Sequence, residues 1–349
     1  MRIILLFVGL FCISCSGVRK AKKLKSHIVK NNHQVWLGNS KDSIKINYTG
    51  CGGFLIENEN SSIMIDPYFS NLSPLPFVPF KKLKTDTALI DRFFIENFSQ
   101  KKDKEGKLKT ILVAHSHYDH LADIPSIYAR NCNQDSTQII GSKSTHHILK
   151  AKNINCKYIV TKTSADSNYL FTNDRRIRIL PIPSEHAPHF CGKKLISSKK
   201  VKKDFNKFPK KIRKLPEGEN FNFLIDFLDD DGAITFRIFS NAGAGCDAKV
   251  GFPPKELLAE KAVDVLFVCV ANYNQVDGYP NDLIEFIKPK HIILNHWENF
   301  FRPIEKLRNK PATVPGTKVK KFISILENDL TFSPKFTMPL PLTEMVFYY

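Results

Sequence analysis

The sequence predicts a mixed α/β sandwich, and three observations carry that reading. Short apolar runs of strand length alternate with segments of helical periodicity. Metal-binding residue types stand at the ends of such runs in both halves of the chain. The 349 residues, 42% of them hydrophobic, can bury a large core and show no repeat of fixed period at which to divide them.

Ile44 to Tyr48, Phe54 to Glu57 and Ser62 to Ile65 read as three strands punctuated by Gly and Asn, the start of an antiparallel sheet. The proline-bearing segment Leu75 to Phe80 reads as a loop. Thr85 to Phe98 has helical spacing, with Leu89, Phe93, Phe94 and Ile95 on or near one face. Thr110 to Ala114 is a buried strand, and a short helix follows Asp123. Ile139 to Gly141 is a strand and Lys143 to Lys150 a helix. Arg176 to Ile182 is a strand leading to Ser184-Glu185-His186. Phe221 to Leu228 and Ile234 to Phe239 form a hairpin through Asp229-Asp230-Asp231-Gly232. Val263 to Val270 and His291 to Leu294 are apolar strands flanking a helix from Asn281 to Ile287. One domain, residues 36–349, is expected from this series.

Ahead of it, Met1-Arg2, the apolar run Ile3 to Ile13 and Ser14-Cys15-Ser16-Gly17 read as an export signal over residues 1–15. It resembles a bacterial lipoprotein signal in which Cys15 becomes the lipidated N-terminus; an ordinary cleaved signal peptide is the alternative. Residues 16–35 then read as a basic tether, solvated or lying on anionic headgroups. The expected location is the cell envelope, anchored to a bacterial membrane.

The charge balance is basic, 52 Lys+Arg against 34 Asp+Glu, which favours anionic partners. No nucleic-acid-binding motif accompanies it, so nucleic acid is not an expected partner. Residues 193–214 hold eleven Lys/Arg against the lone Asp204, a basic insertion that reads either as a mobile lid or as a solvated loop. Beyond Cys15, the cysteines at 51, 132, 156, 191, 246 and 269 show no C-x-x-C pairing and read mostly as small buried residues. Cys132 with Cys156 is one conceivable bridge.

The chemistry concentrates in His115-Ser116-His117-Tyr118-Asp119-His120, with His186 and His296 at later strand ends. Imidazole nitrogens with a carboxylate suit zinc, with iron or manganese as alternatives, and a catalytic site leaves a position open for water. His189 is a candidate for substrate contact. Glu185 and Glu298 are candidates to hold imidazole N–H groups. Tyr118 is a candidate to line the cleft. His146 and His147 read as structural, and the odd spacing of His291 from His296 puts it on the opposite sheet face.

These residues resemble the metallo-β-lactamase fold superfamily over roughly 44–302. Within it, Gly50-Cys51-Gly52-Gly53-Phe54-Leu55-Ile56-Glu57 and Met64-Ile65-Asp66-Pro67 are similar to the branch of N-acylphosphatidylethanolamine phospholipase D and ascorbate-6-phosphate lactonase. The resemblance implies a four-layer αββα sandwich. It implies one metal held by His115, His117 and His186, and a second by Asp119, His120 and His296. It also implies an aspartate bridging the two metals, yet the matching stretch reads Ser240-Asn241-Ala242-Gly243 without a carboxylate. Asn241 is a weak ligand at best, Asp247 or Cys246 would have to fold back, and a single metal becomes an alternative.

The expected activity is metal-dependent hydrolysis of a small anionic or ester substrate, a phosphodiester or phospholipid among them. A metal-activated water would be the nucleophile, with Asp119 and His189 as catalytic residues. The alternative is an envelope protein that binds a metal or ligand without turnover. No oligomeric state is implied.

Overall fold

The computed structural model describes residues 17–71, 82–98, 108–130, 137–159, 169–189, 192–194, 196–246 and 250–349. The signal at 1–15 with Cys15, the loop Leu75 to Phe80, Cys132, Cys191 and Asp247 lie outside the described residues.

The strands of the first half are β1 (Ile28–Val29), β2 (His33–Trp36), β3 (Ser43–Gly50), β4 (Gly53–Glu57), β5 (Ser62–Ile65), β6 (Thr110–Val113), β7 (Gln138–Gly141) and β8 (Lys157–Tyr158). Those of the second are β9 (Leu170–Phe171), β10 (Ile177–His186), β11 (Asn220–Leu228), β12 (Ile234–Ser240), β13 (Ala244–Gly245), β14 (Val265–Cys269), β15 (His291–Asn295), β16 (Lys335–Pro339) and β17 (Thr343–Tyr348). They assemble into two sheets. One runs β2-β17-β3-β4-β5-β6-β7-β8; the other runs β1-β16-β15-β14-β12-β11-β10-β13, with β9 on β10.

Alternation along the strands sorts side chains into layers. Ile46, Phe54, Ile63 and Leu112 of one sheet meet Phe223, Ile225, Phe267 and Ile293 of the other in a buried core. Phe54 and Phe267 stack across it with ring centroids 3.9 Å apart. The opposite faces, Leu55, Met64, Ile111, Leu266, Val268 and Ile292 among them, belong to a second core shared with the helices. Strands such as β14 are therefore covered on both sides, which explains their unbroken apolar runs. The result is the four-layer αββα sandwich.

The helix Asn281–Ile287 has the bounds expected from sequence, and the Asp229–Gly232 turn joins β11 to β12. Thr87–Phe98 is helical but buries Leu89, Ile90 and Phe93, leaving Ile95 63% exposed. The expected start near Trp36 is corrected. Residues 17–22 are helical, Ala21 and Leu24 are buried, β1 pairs with β16 and β2 with β17. Apolar residues spaced among the lysines dock this stretch onto the C-terminal strands, so it is no free tether. Among the described residues no helix is long and apolar enough to cross a membrane.

Candidate metal centre

The centre is assembled where three chain segments leave their strands. Parallel β6 ends at Val113, and the chain turns through His115 and Ser116 into the one-turn helix Tyr118–Leu121, with His117 in extended conformation at its start. Ser116 anchors the turn: its N–H donates to the Glu217 carbonyl at 2.9 Å and its hydroxyl to the Pro216 carbonyl at 2.7 Å. His186 closes β10, and His296 follows β15 with φ +53, a left-handed conformation uncommon outside glycine.

One nitrogen from each of His115, His117 and His186 lies within 4.8 Å of the other two. His115 Nε2 faces His117 Nδ1 at 3.1 Å. Beside this triad, with the His115 and His120 rings 3.9 Å apart, lies a second group. His296 Nε2 stands 3.4 Å from His120 Nε2 and 3.8 Å from Asp119 Oδ2, and His120 Nε2 is 3.9 Å from the same oxygen. The structure thus brings all six residues singled out in the sequence together, in two adjacent groups.

The donor chemistry fits a cation. Burial holds His115, His117 and His296 well below the usual imidazole range, with the neighbouring imidazoles adding to it. Burial and His189 bring His186 to about 3. These rings are therefore neutral and offer lone pairs at ordinary pH. His186 Nδ1 sits 2.6 Å from the Ala187 carbonyl, so that nitrogen carries the proton and Nε2 is the free donor. In His120, burial opposes protonation but Asp66 and then Asp119 outweigh it, and its pKa is raised. Burial pushes the Asp119 carboxyl up, against the pull of His120.

Two residues at the centre were not assigned roles in the sequence. Asp66, fully buried, places Oδ2 3.0 Å from His120 Nδ1 while Oδ1 accepts the Ala114 N–H at 2.7 Å. It stands in the quoted Asp66-Pro67 pair, so a signal for it existed. Cys51 is the other: its sulfur lies within 4.8 Å of an Asp119 oxygen and a His296 nitrogen. Glu298 does not hold an imidazole. It accepts the Cys51 N–H at 2.7 Å and the Tyr48 hydroxyl at 2.6 Å, and burial raises its pKa to about 7. Glu185 is exposed. Asn241 is engaged elsewhere, its Oδ1 accepting the Tyr279 hydroxyl at 2.7 Å and its Nδ2 donating to Asn222 Oδ1 at 3.2 Å. His146 binds the Cys156 carbonyl and His147 pairs with Asp204, both on the helix Lys143–Leu149. His291 is buried away from the centre against Thr337.

A pocket of about 360 Å³ opens over the donors. His117, Asp119, His186 and His296 form its floor, with Tyr118 and His189 beside them. Its walls are largely apolar: Ile196, Ile212, Phe300, Phe301 and Val314, with Arg213 as the cationic member. Three of these wall residues come from the basic insertion. That segment packs down through the Val201 N–H on Ser144 Oγ and the Phe205 N–H on the His147 carbonyl, so it forms a wall of the pocket rather than a solvated loop.

Residues 62–201 match the profile of the β-lactamase superfamily domain. No curated protein matches the chain. Among solved structures, an isothiocyanate hydrolase from Delia radicum gut bacteria superposes with a TM-score of 0.50 at 10% identity, covering 87% of this chain and 100% of that one. Igni18, a metallo hydrolase of the archaeon Ignicoccus hospitalis, is similar with a TM-score of 0.49 and 14% identity over 88% of this chain and 99% of that one. The metallo-β-lactamase fold protein YhfI of Bacillus subtilis gives 0.46 and 11% over 87% and 100%. The fold is the αββα metallo-β-lactamase sandwich.

Proposed function

We propose that this chain is a metal-dependent hydrolase that cleaves a small ester or phosphodiester with an apolar body. The observation that carries the proposal is the convergence of two adjacent donor groups, five imidazoles with one carboxylate, on the floor of an apolar-walled pocket. His115, His117 and His186 would hold one cation and Asp119, His120 and His296 another. Bound there, a zinc-class cation supplies Lewis acidity and lowers the pKa of a coordinated water. The chain's own residues do the rest. Asp119, with its carboxyl pushed up by burial, receives the proton of the attacking water. His189 stacks on His186 with centroids 4.9 Å apart and is held neutral by burial and Lys194, at about 4. It orients the scissile group. Arg213 attracts the anionic end of the substrate, and the Phe300 and Phe301 side excludes water from its apolar end.

The apolar walls favour an amphipathic substrate such as a phospholipid over a fully polar phosphate, in keeping with the resemblance to the phospholipase D and lactonase branch. An anchor at Cys15 and a place in the cell envelope belong to the same proposal. The engaged Asn241 amide favours a second reading, metal binding without turnover, because a bridging charge is missing from that position.

The test uses full-length protein in mild detergent, loaded with zinc, against bis(p-nitrophenyl) phosphate, p-nitrophenyl esters of graded chain length and a short-chain phospholipid. Turnover that a chelator abolishes, zinc restores and His117→Ala removes is the expected result. A fully loaded protein that cleaves none of them leaves the binding-only reading.

A further inference from the structure

Among the described residues, the stretch Ser240–Gly243 brings no carboxylate to the second donor group, and a donor approaches it from the N-terminal half. Cys51 lies in the turn between β3 and β4, fully buried. Its sulfur is within 4.8 Å of both an Asp119 oxygen and a His296 nitrogen. Among the described residues it has no hydrogen-bond partner for that sulfur. The nearby thiols are otherwise placed: Cys246 Sγ accepts from Asn241 Nδ2 at 3.5 Å, and Cys269 Sγ points to the Ala271 carbonyl at 3.9 Å.

The turn is built to hold Cys51 there. Its N–H donates to Glu298 Oε1 at 2.7 Å, and its carbonyl accepts the His296 N–H at 2.8 Å. The same network therefore fixes Cys51 and His296 relative to each other. Cys51 has φ +55, a conformation that favours glycine, and it stands among Gly50, Gly52 and Gly53. The one turn residue with a side chain thus directs a sulfur at the donor group.

We infer that Cys51 is a thiolate ligand of the second cation position, alongside Asp119 and His296, and supplies the negative charge that Asn241 does not. The inference rests on the metal reading of the preceding subsection. Metal–sulfur bonds of about 2.3 Å and metal–nitrogen or –oxygen bonds of about 2.0–2.2 Å put such donors roughly 3.5 Å apart at tetrahedral angles, within side-chain adjustment of the spacing here. On binding, the S–H bond breaks, its proton passes to solvent, and a sulfur–metal bond forms with no change of oxidation state. A thiolate selects zinc, iron or cobalt over magnesium or calcium.

The test is cobalt(II) titration of full-length apo-protein, followed in the near ultraviolet. The wild type should develop a thiolate-to-cobalt charge-transfer band with the second equivalent. Cys51→Ser and Cys51→Ala should lose that band and bind the second equivalent at least about tenfold more weakly, keeping the first. Cys246→Ser and Cys269→Ser should retain it. X-ray absorption on the zinc-loaded wild type, which needs no variant, should show sulfur scattering at about 2.3 Å. Cobalt bound without the band, or a band that survives in Cys51→Ser, overturns the role of Cys51 while leaving the metal reading intact. No cobalt bound in any form brings down both.

Discussion

Asp66→Asn is the substitution that most directly probes how the fold prepares a ligand. Asp66 has no solvent exposure and follows β5 with φ +41. One oxygen accepts the Ala114 N–H at 2.7 Å and the other faces His120 Nδ1 at 3.0 Å. A carboxylate in that place keeps the imidazole proton on Nδ1 and leaves the Nε2 lone pair pointing toward Asp119 and His296. An asparagine whose oxygen keeps the Ala114 bond turns its NH2 toward Nδ1. That pushes the ring proton to Nε2, the wrong side for a cation. Loss of such an orienting partner typically weakens metal binding 10–100-fold, or about 1.4–2.7 kcal/mol. Asp66→Ala should lose the same affinity and, with the Ala114 N–H stranded, a further 1–3 kcal/mol or so of folding stability. Competition for zinc against a chromophoric chelator measures the first effect, and urea unfolding of the apo-proteins the second. Wild-type zinc affinity in both variants would refute the orienting role, whatever happens to stability.

Two predictions concern the scaffold. Arg237, fully buried, is bound by both oxygens of Asp226 at 2.6 and 2.9 Å and by the Lys261 carbonyl at 2.8 Å. Arg237→Ala should cost about 3–5 kcal/mol in urea unfolding, because it leaves a buried carboxylate short of a partner, and a loss below about 1 kcal/mol would contradict this. His291 is held near pKa 3 by burial first, then His33 and Lys335, against about 6.5 in the unfolded chain. The unfolded chain binds the proton first, so stability from neutral His291 is complete above about pH 6.5 and falls away as pH drops toward 3, by up to about 5 kcal/mol. His291→Gln should flatten the urea midpoint across pH 6.5 to 4; an unchanged slope would mean other groups carry it.

Much of the fold is legible in the order of the residues alone. Period-2 apolar runs separated by Gly and Asn are a local signal, and β3, β4, β5, β11, β12 and the helix Asn281–Ile287 came through close to their observed bounds. Six candidate donor residues were legible because imidazoles crowded into one hexapeptide, and repeated at strand ends, have few other uses. The tertiary structure decided what depends on pairing between distant segments. Whether residues 17–36 float or dock turned on β16 and β17, some three hundred residues away, whose edges accept β1 and β2. Whether the basic insertion is a lid or a wall turned on its contacts with Ser144 and His147. The partners of Glu298 and the surroundings of Cys51 were hidden for the same reason. A carboxylate or thiol carries no mark in the chain of which buried N–H or imidazole it will meet, and that partner is set only when the two sheets close.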